Sequence, residues 1–169
     1  MSLKVLTIGH SNHSFERFAE LLISNRVQHA VDTRSYPYSR FASQFNREPF
    51  EASLAKRGIR YLYLGGELGG RPREKEYYDG KGHLLADRLT ESPRFGRGIA
   101  RLMSEIENWR CALICAEENP AQCHRRGVIS PILMRQGVSV AHIRKDGSVE
   151  NEKEITARSR CNAVQIALF

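Results

Sequence analysis

The sequence predicts an α/β fold: a three-layer domain built on a mostly parallel five-stranded sheet with helices on both faces. Three observations support it. Short apolar runs of strand length alternate with segments of helical period through most of the chain, the order expected of right-handed β–α–β crossovers. One run, CALICA at 111–116, is apolar throughout, as a strand covered on both faces must be. And 169 residues, 41% of them hydrophobic, suit one domain of ordinary composition that buries roughly 70% of its unfolded surface. No internal repeat and no interdomain linker interrupts residues 1–169, which read as a single domain.

The first strand is KVLTIG (4–9), which ends in Gly and gives way to the turn residues HSNHS. Ser14 suits an N-cap, because Phe15, Phe18, Ala19, Leu21 and Leu22 then recur with helical period. HAVD (29–32) is the second strand and TRSYPYSR the loop after it. A helix is expected to begin near Pro49, a residue suited to the first helical position, and to stop at Gly58. IRYLYLG supplies a third strand rich in β-formers. Residues 65–98 are polar and glycine-rich around GGELGGRPREKEYYDGKG, interrupted by a short helix over 84–89; so long a loop in a compact domain is usually functional. Ile99, Leu102, Met103 and Ile106 form a helical stripe before the fourth strand at 111–116. Asn119 and Pro120 pair as N-cap and first residue of a helix directed towards Gln136, kinked at Pro131 and stopped at Gly137. VSVAHI (138–143) is the fifth strand. The closing residues alternate charge and end in the apolar AVQIALF, expected to dock on the domain.

Composition narrows the function classes. No apolar run nears the roughly 20 residues that span a bilayer. With neither a signal-peptide pattern nor a lipidation motif, the expectation is a cytoplasmic protein with no membrane partner. Cys111, Cys115, Cys123 and Cys161 contain no CxxC pair, so neither a secreted disulfide framework nor a thioredoxin-type or zinc-ribbon site is signalled. A net charge of +7 points to an anionic partner, a small molecule or nucleic acid, although charge alone serves solubility equally well.

Ligands of open parallel sheets bind beyond the carboxyl ends of the strands. Those ends hold Gly9, His10 and Ser11; Asp32 and Arg34; Gly65 and Gly66; Cys115 and Glu117. In CAEENPAQCHRR (115–126), Cys123 stands near the start of the expected helix, where the macrodipole and neighbouring Arg residues favour a thiolate. Cys123 is therefore the candidate nucleophile or metal ligand, and Arg125 the anion clamp. Glu117, His10 and Asp32 are candidate acid–base groups, although for Asp32 an ion pair with Arg34, Arg40 or Arg125 that fixes the loops is slightly favoured. Arg34, Arg40, Ser11 and His124 complete the candidate substrate contacts. Cys111 and Cys161 read as packing residues, and Cys115 as the end of a buried strand. No metal or other cofactor is assigned: His10, His13, Asp32, Cys115, Glu117, Cys123 and His124 are suitable donors for a divalent ion, but their spacing is not that of a known metal motif. Phosphatase-type Cys–Arg loops, GxxxxGK[ST] and GxSxG are all missing from the sequence.

TIGHS (7–11), VDTR (31–34), PYSR (37–40), the two LGG triplets (64–66 and 68–70), CAEENPAQCHR (115–125) and a late VAHI (140–143) together resemble the bacterial domain-of-unknown-function family 488. The resemblance spans residues 5–143, departs mildly at Thr33, where the family commonly has an aliphatic residue, and leaves 144–169 unassigned. It implies an α/β fold and carries no reaction with it.

The leading reading is an enzyme acting on an anionic, phosphate-bearing substrate through a Cys/His/Arg cluster at the strand carboxyl edge, with the 66–96 loop closing over it. The alternatives are a nucleic-acid-binding protein and a partner-binding module. The first would use Arg34, Arg40, Arg47, Arg71, Arg73, Arg125 and Arg126 beside Tyr36, Tyr38, Tyr61, Tyr63, Tyr77 and Tyr78. The second would dock through residues 161–169.

Overall fold

A computed structural model describes residues 3–158. Six strands form one sheet: β1 (Lys4–Gly9), β2 (His29–Asp32), β3 (Arg60–Tyr63), β4 (Cys111–Cys115), β5 (Ser139–Ile143) and β6 (Val149–Asn151). Their order is β3-β2-β4-β1-β5-β6. The first five pair in parallel, and β6 adds an antiparallel edge against β5. The α/β class and the parallel core are as the sequence predicts, with one strand more. The additional strand follows the turn at Asp146 and Gly147, whose φ of +93° suits glycine. It is three residues long, too short to carry a readable alternation.

Helices cover both faces. α1 (Phe15–Ser24) and α2 (Arg47–Ala55) share one core with Leu6, Ile8, Ala30 and Ile114. α3 (Gly65–Leu68), α4 (Ala86–Glu91), α5 (Pro93–Asn108) and α6 (Ser130–Arg135) share the other with Val5, Val31, Leu113 and Val140. Neighbouring strand residues thus alternate between the two cores, the two-residue period of a sheet buried on both sides.

Several boundaries differ from expectation for local reasons. Asn46 precedes α2, so the helix starts two residues before Pro49. The 65–98 segment is largely structured: α5 begins at Pro93, capped by Ser92 Oγ accepting from Phe95 N–H at 3.2 Å. The helix expected from Asn119 is broken. Pro120–Gln122 makes a single 3₁₀ turn, and Cys123 returns to extended geometry at φ −129°. A π-helical turn, Arg125–Ile129, then leads into α6. The Ser130 amide and hydroxyl both donate to the Arg125 carbonyl, so the irregularity falls one turn ahead of Pro131. The expected docking of AVQIALF and the packing role of Cys161 lie outside the described residues.

Candidate functional site

The sheet leaves a crevice where adjacent strands send their chains to opposite faces. From β2 the chain passes to α2 on one face, and from β4 to α6 on the other. A cavity of about 250 Å³ opens at that point, lined by Arg34, Ser35, Tyr36, Gly70, Arg71, Cys115, Ala116, Glu117, Gln122 and His124.

Its inner wall is the segment after β4. Gly9, at the end of β1, makes room for it: a Cβ there would fall 1.8 Å from the Glu117 carbonyl oxygen. Backbone bonds from His10 N–H to Cys115 O (2.9 Å) and from Ser11 N–H to Ala116 O (2.8 Å) hold the two strand ends together. Arg125, fully buried, fixes the turn from beneath by donating to the Glu117 and Glu118 carbonyls at 2.5 and 2.7 Å. Arg144 clamps the Glu118 carboxylate from outside at 2.9 and 3.0 Å.

On this frame two thiols, an imidazole and a carboxylate meet. Cys115 Sγ lies 2.9 Å from Glu117 Oε2 and 3.8 Å from His124 Nδ1, and Cys123 Sγ lies 3.7 Å from the same nitrogen. His124 Nε2 is 3.1 Å from the Thr33 carbonyl oxygen. A carbonyl only accepts, so Nε2 carries a hydrogen, and the tautomer this selects has its lone pair on Nδ1. The two thiols shift in opposite directions. Cys123 is held below the ordinary thiol value, chiefly by the hydrogen bond from Cys115 and then by the charge and backbone N–H of Arg125, against burial. Cys115 is pushed up by that same bond and by burial. Burial raises Glu117, yet the bonds from both thiols outweigh it and keep the carboxyl low.

The opposite wall comes from the segment after β2. Arg34 lies along Asp32, with Nε to Oδ1 at 2.9 Å and Nη2 to Oδ2 at 2.6 Å. Nη2 also donates to Phe45 O, while Nη1 has no hydrogen-bond partner among the described residues. Arg71 completes the cationic rim, its backbone N–H tied to Ser35 Oγ at 2.8 Å.

The sequence-predicted residues separate accordingly. Cys123, Glu117, His124 and Arg34 meet at the site, and Cys115, expected only as the end of a buried strand, stands on its wall. The structure places the other five elsewhere. Asp32 is fully buried and accepts from Arg34 and from the Tyr61 hydroxyl at 2.7 Å, the ion pair that the sequence offered beside an acid–base role. Arg125 supports the wall from within the core and is not part of the cavity lining. His10 stacks on Phe45 at 4.5 Å, and burial, with the Arg34 charge, lowers its pKa to about 4, leaving a neutral ring away from the cavity lining. Ser11 serves a turn at φ +44°, and Arg40 is exposed beside Tyr36 and Tyr38 at a separate surface cavity. Ser35, Gly70 and Gln122 were not anticipated. Gly70 had a signal in GGELGG: a Cβ there would meet His124 Cγ at 2.5 Å, so only glycine lets the loop cover the imidazole.

The family described as Domain of unknown function DUF488 matches residues 14–131, well over half of the chain. The chain belongs to the DUF488 family. The matched region of this DUF488 protein contains the whole cavity lining and stops short of TIGHS and VAHI, so it is narrower than the 5–143 span of the sequence resemblance. No curated protein and no solved structure matches the chain. No helix among the described residues is long and apolar enough to cross a membrane.

Proposed function

We propose that this DUF488 protein is an enzyme acting on a small anionic, phosphate-bearing substrate held between Arg34 and Arg71. The observation that carries the reading is the composition of one cavity wall against the other. The buried Arg34, whose Nη1 has no hydrogen-bond partner among the described residues, and the exposed Arg71 line the same cavity as a thiol and a carboxylate 2.9 Å apart. At about 250 Å³ the cavity suits a small substrate. The bond with Cys123 and burial hold the Cys115 thiol protonated, so its proton passes to Glu117 only as the sulfur attacks the phosphorus of a phosphate ester. The P–O bond breaks, the departing oxygen takes that proton and leaves as an alcohol, and water then hydrolyses the S–P bond to free phosphate and thiol.

The test compares two alkylating agents that differ in charge. In each, the Cys115 sulfur displaces iodide from carbon, but iodoacetate carries an anion and iodoacetamide does not. Native protein is expected to react faster with iodoacetate, with peptide mapping placing the label on Cys115, and R71A should reverse the preference. Equal rates with both reagents, or labelling no faster than in urea-unfolded protein, would sink the reading.

A second reading has its own support. Phe41 is 98% exposed and Tyr36 68% exposed on the loop that also carries the exposed Arg40, and Tyr36 lines the cavity as well. Such a loop suits bases stacked on rings and phosphates on guanidinium groups. Short single-stranded DNA or RNA should then bind with an affinity that falls steeply across a salt series. No binding at low salt removes this reading.

A further inference from the structure

We propose that Cys115, Cys123 and His124 form a binding site for a zinc-class divalent cation, with the fourth coordination position turned towards the cavity. The donors already have the right spacing. Sγ of both cysteines and the imidazole nitrogen all lie within 4.8 Å of one another. Tetrahedral zinc with Zn–S near 2.3 Å and Zn–N near 2.0–2.1 Å places sulfur and nitrogen ligands about 3.6 Å apart. The two Sγ–Nδ1 separations are 3.7 and 3.8 Å. An ion enters this triangle with little rearrangement.

The second shell points the same way. Nε2–H of His124 donates to the Thr33 carbonyl, which fixes the tautomer and turns the Nδ1 lone pair onto the sulfurs, the support that metal-bound imidazoles characteristically have. Gly70 packs against the ring and prevents it from swinging away. Cys115 ends a central strand, while Cys123 and His124 open the helical segment that the buried Arg125 anchors, so the three donors sit on rigid elements. Two thiolates and an imidazole are soft to borderline donors. They select zinc over magnesium or calcium, and the two negative charges neutralise the ion. Binding displaces one proton from each thiol, and Glu117 Oε2, 2.9 Å from Cys115 Sγ, is placed to receive one of them. No electron moves.

The inference stands on donor geometry and goes beyond the anion reading without depending on it. It has one chemical consequence for that reading: with the ion bound, both sulfurs are ligands and Cys115 is shielded from electrophiles. The reactivity of the thiol therefore follows metal supply.

The experiment uses the full chain, reduced and stripped with a chelator, and titrates it with cobalt(II) and then zinc(II). The expected result is a thiolate-to-cobalt charge-transfer band in the near ultraviolet and intense visible bands of tetrahedral cobalt, saturating at one equivalent and abolished by one equivalent of zinc. Zinc should also slow iodoacetamide labelling of Cys115 by about tenfold or more, since a metal-bound thiolate is a poor nucleophile. C115S, C123S and H124A should lose the spectrum, whereas C111S, at the far end of β4, and R71A should keep it. A folded wild-type protein without the charge-transfer band overturns the proposal, as does an unchanged spectrum in C123S. Should a ligand variant fail to fold, the wild-type spectrum and the zinc protection of Cys115 decide the matter. A cobalt spectrum intact alongside equal iodoacetate and iodoacetamide rates refutes the anion reading alone.

Discussion

Replacing Arg125 by methionine separates a supporting role from a ligand-binding one. Arg125 is fully buried, and its guanidinium donates to the Glu117 and Glu118 carbonyls at 2.5 and 2.7 Å. Methionine preserves much of the apolar stem but leaves two inward-facing acceptors without a donor. Each charge-assisted bond contributes on the order of 1.5–3 kcal/mol, and stranding its partner restores a desolvation cost of similar size. Breaking such a buried arrangement from one side costs about 3–5 kcal/mol. With a urea m-value of about 2 kcal/mol/M, the midpoint should fall by roughly 2 M at unchanged slope. R125K keeps a charge but cannot span both carbonyls, and should lie about halfway. R71A, at an exposed position, should shift stability by no more than about 0.5 kcal/mol. Equilibrium urea denaturation at neutral pH measures all three. A loss below about 1 kcal/mol in R125M, accompanied by weakened phosphate binding, would refute the supporting role and restore Arg125 as a surface anion clamp.

Two further outcomes follow. G70A places a Cβ 2.5 Å from His124 Cγ, so the imidazole must move; stability should fall by about 1–3 kcal/mol and the His124 ring resonances should shift, and unchanged resonances would refute the contact. His10 supplies a pH dependence. Its pKa, about 4 in the fold against 6.5 for the free side chain, means that the unfolded chain binds more protons between those values. Its contribution to stability is thus complete above pH 6.5 and is lost as pH falls towards 4, a total on the order of 3 kcal/mol. H10F retains the ring stack on Phe45 and removes the titration, so its urea midpoint should fall less between pH 7 and pH 4.5 than that of the wild type; parallel falls would refute the assignment.

The elements that were legible in the sequence are those whose burial is periodic. Leu6 and Ile8 fall in one core and Val5 in the other, and α1 repeats its apolar residues at helical intervals, so the five parallel strands and the principal helices could be located without coordinates. What escaped the reading depended on single residues or on distant partners. Ser92 and Pro93 are a cap pair like Asn119 and Pro120, yet a polar, glycine-rich context concealed the first, and the second opened only a single turn. Cys123 could not be assigned a face while a continuous helix was assumed, because the return to extended geometry at that residue re-aims its side chain.

The candidate site repeats the same division. That chemistry would gather at the strand carboxyl ends follows from topology, and Glu117, Cys123, His124 and Arg34 were recoverable on that ground. Their roles were not, because charge in a sequence carries no sign of depth. Arg34 and Arg125 differ by what lies beside them: a carboxylate that leaves one guanidinium nitrogen without a hydrogen-bond partner among the described residues, at the cavity lining, or two backbone carbonyls inside the core. Cys115 gives the converse case. An apolar strand predicts its burial, and it is 4% exposed, but the last residue of a central strand forms the floor of the crevice above it. Burial there does not argue against chemistry. It removes competing water from two sulfurs and a nitrogen that already stand at metal-ligand spacing, and it strengthens every charge that Arg34 and Glu117 bring to them.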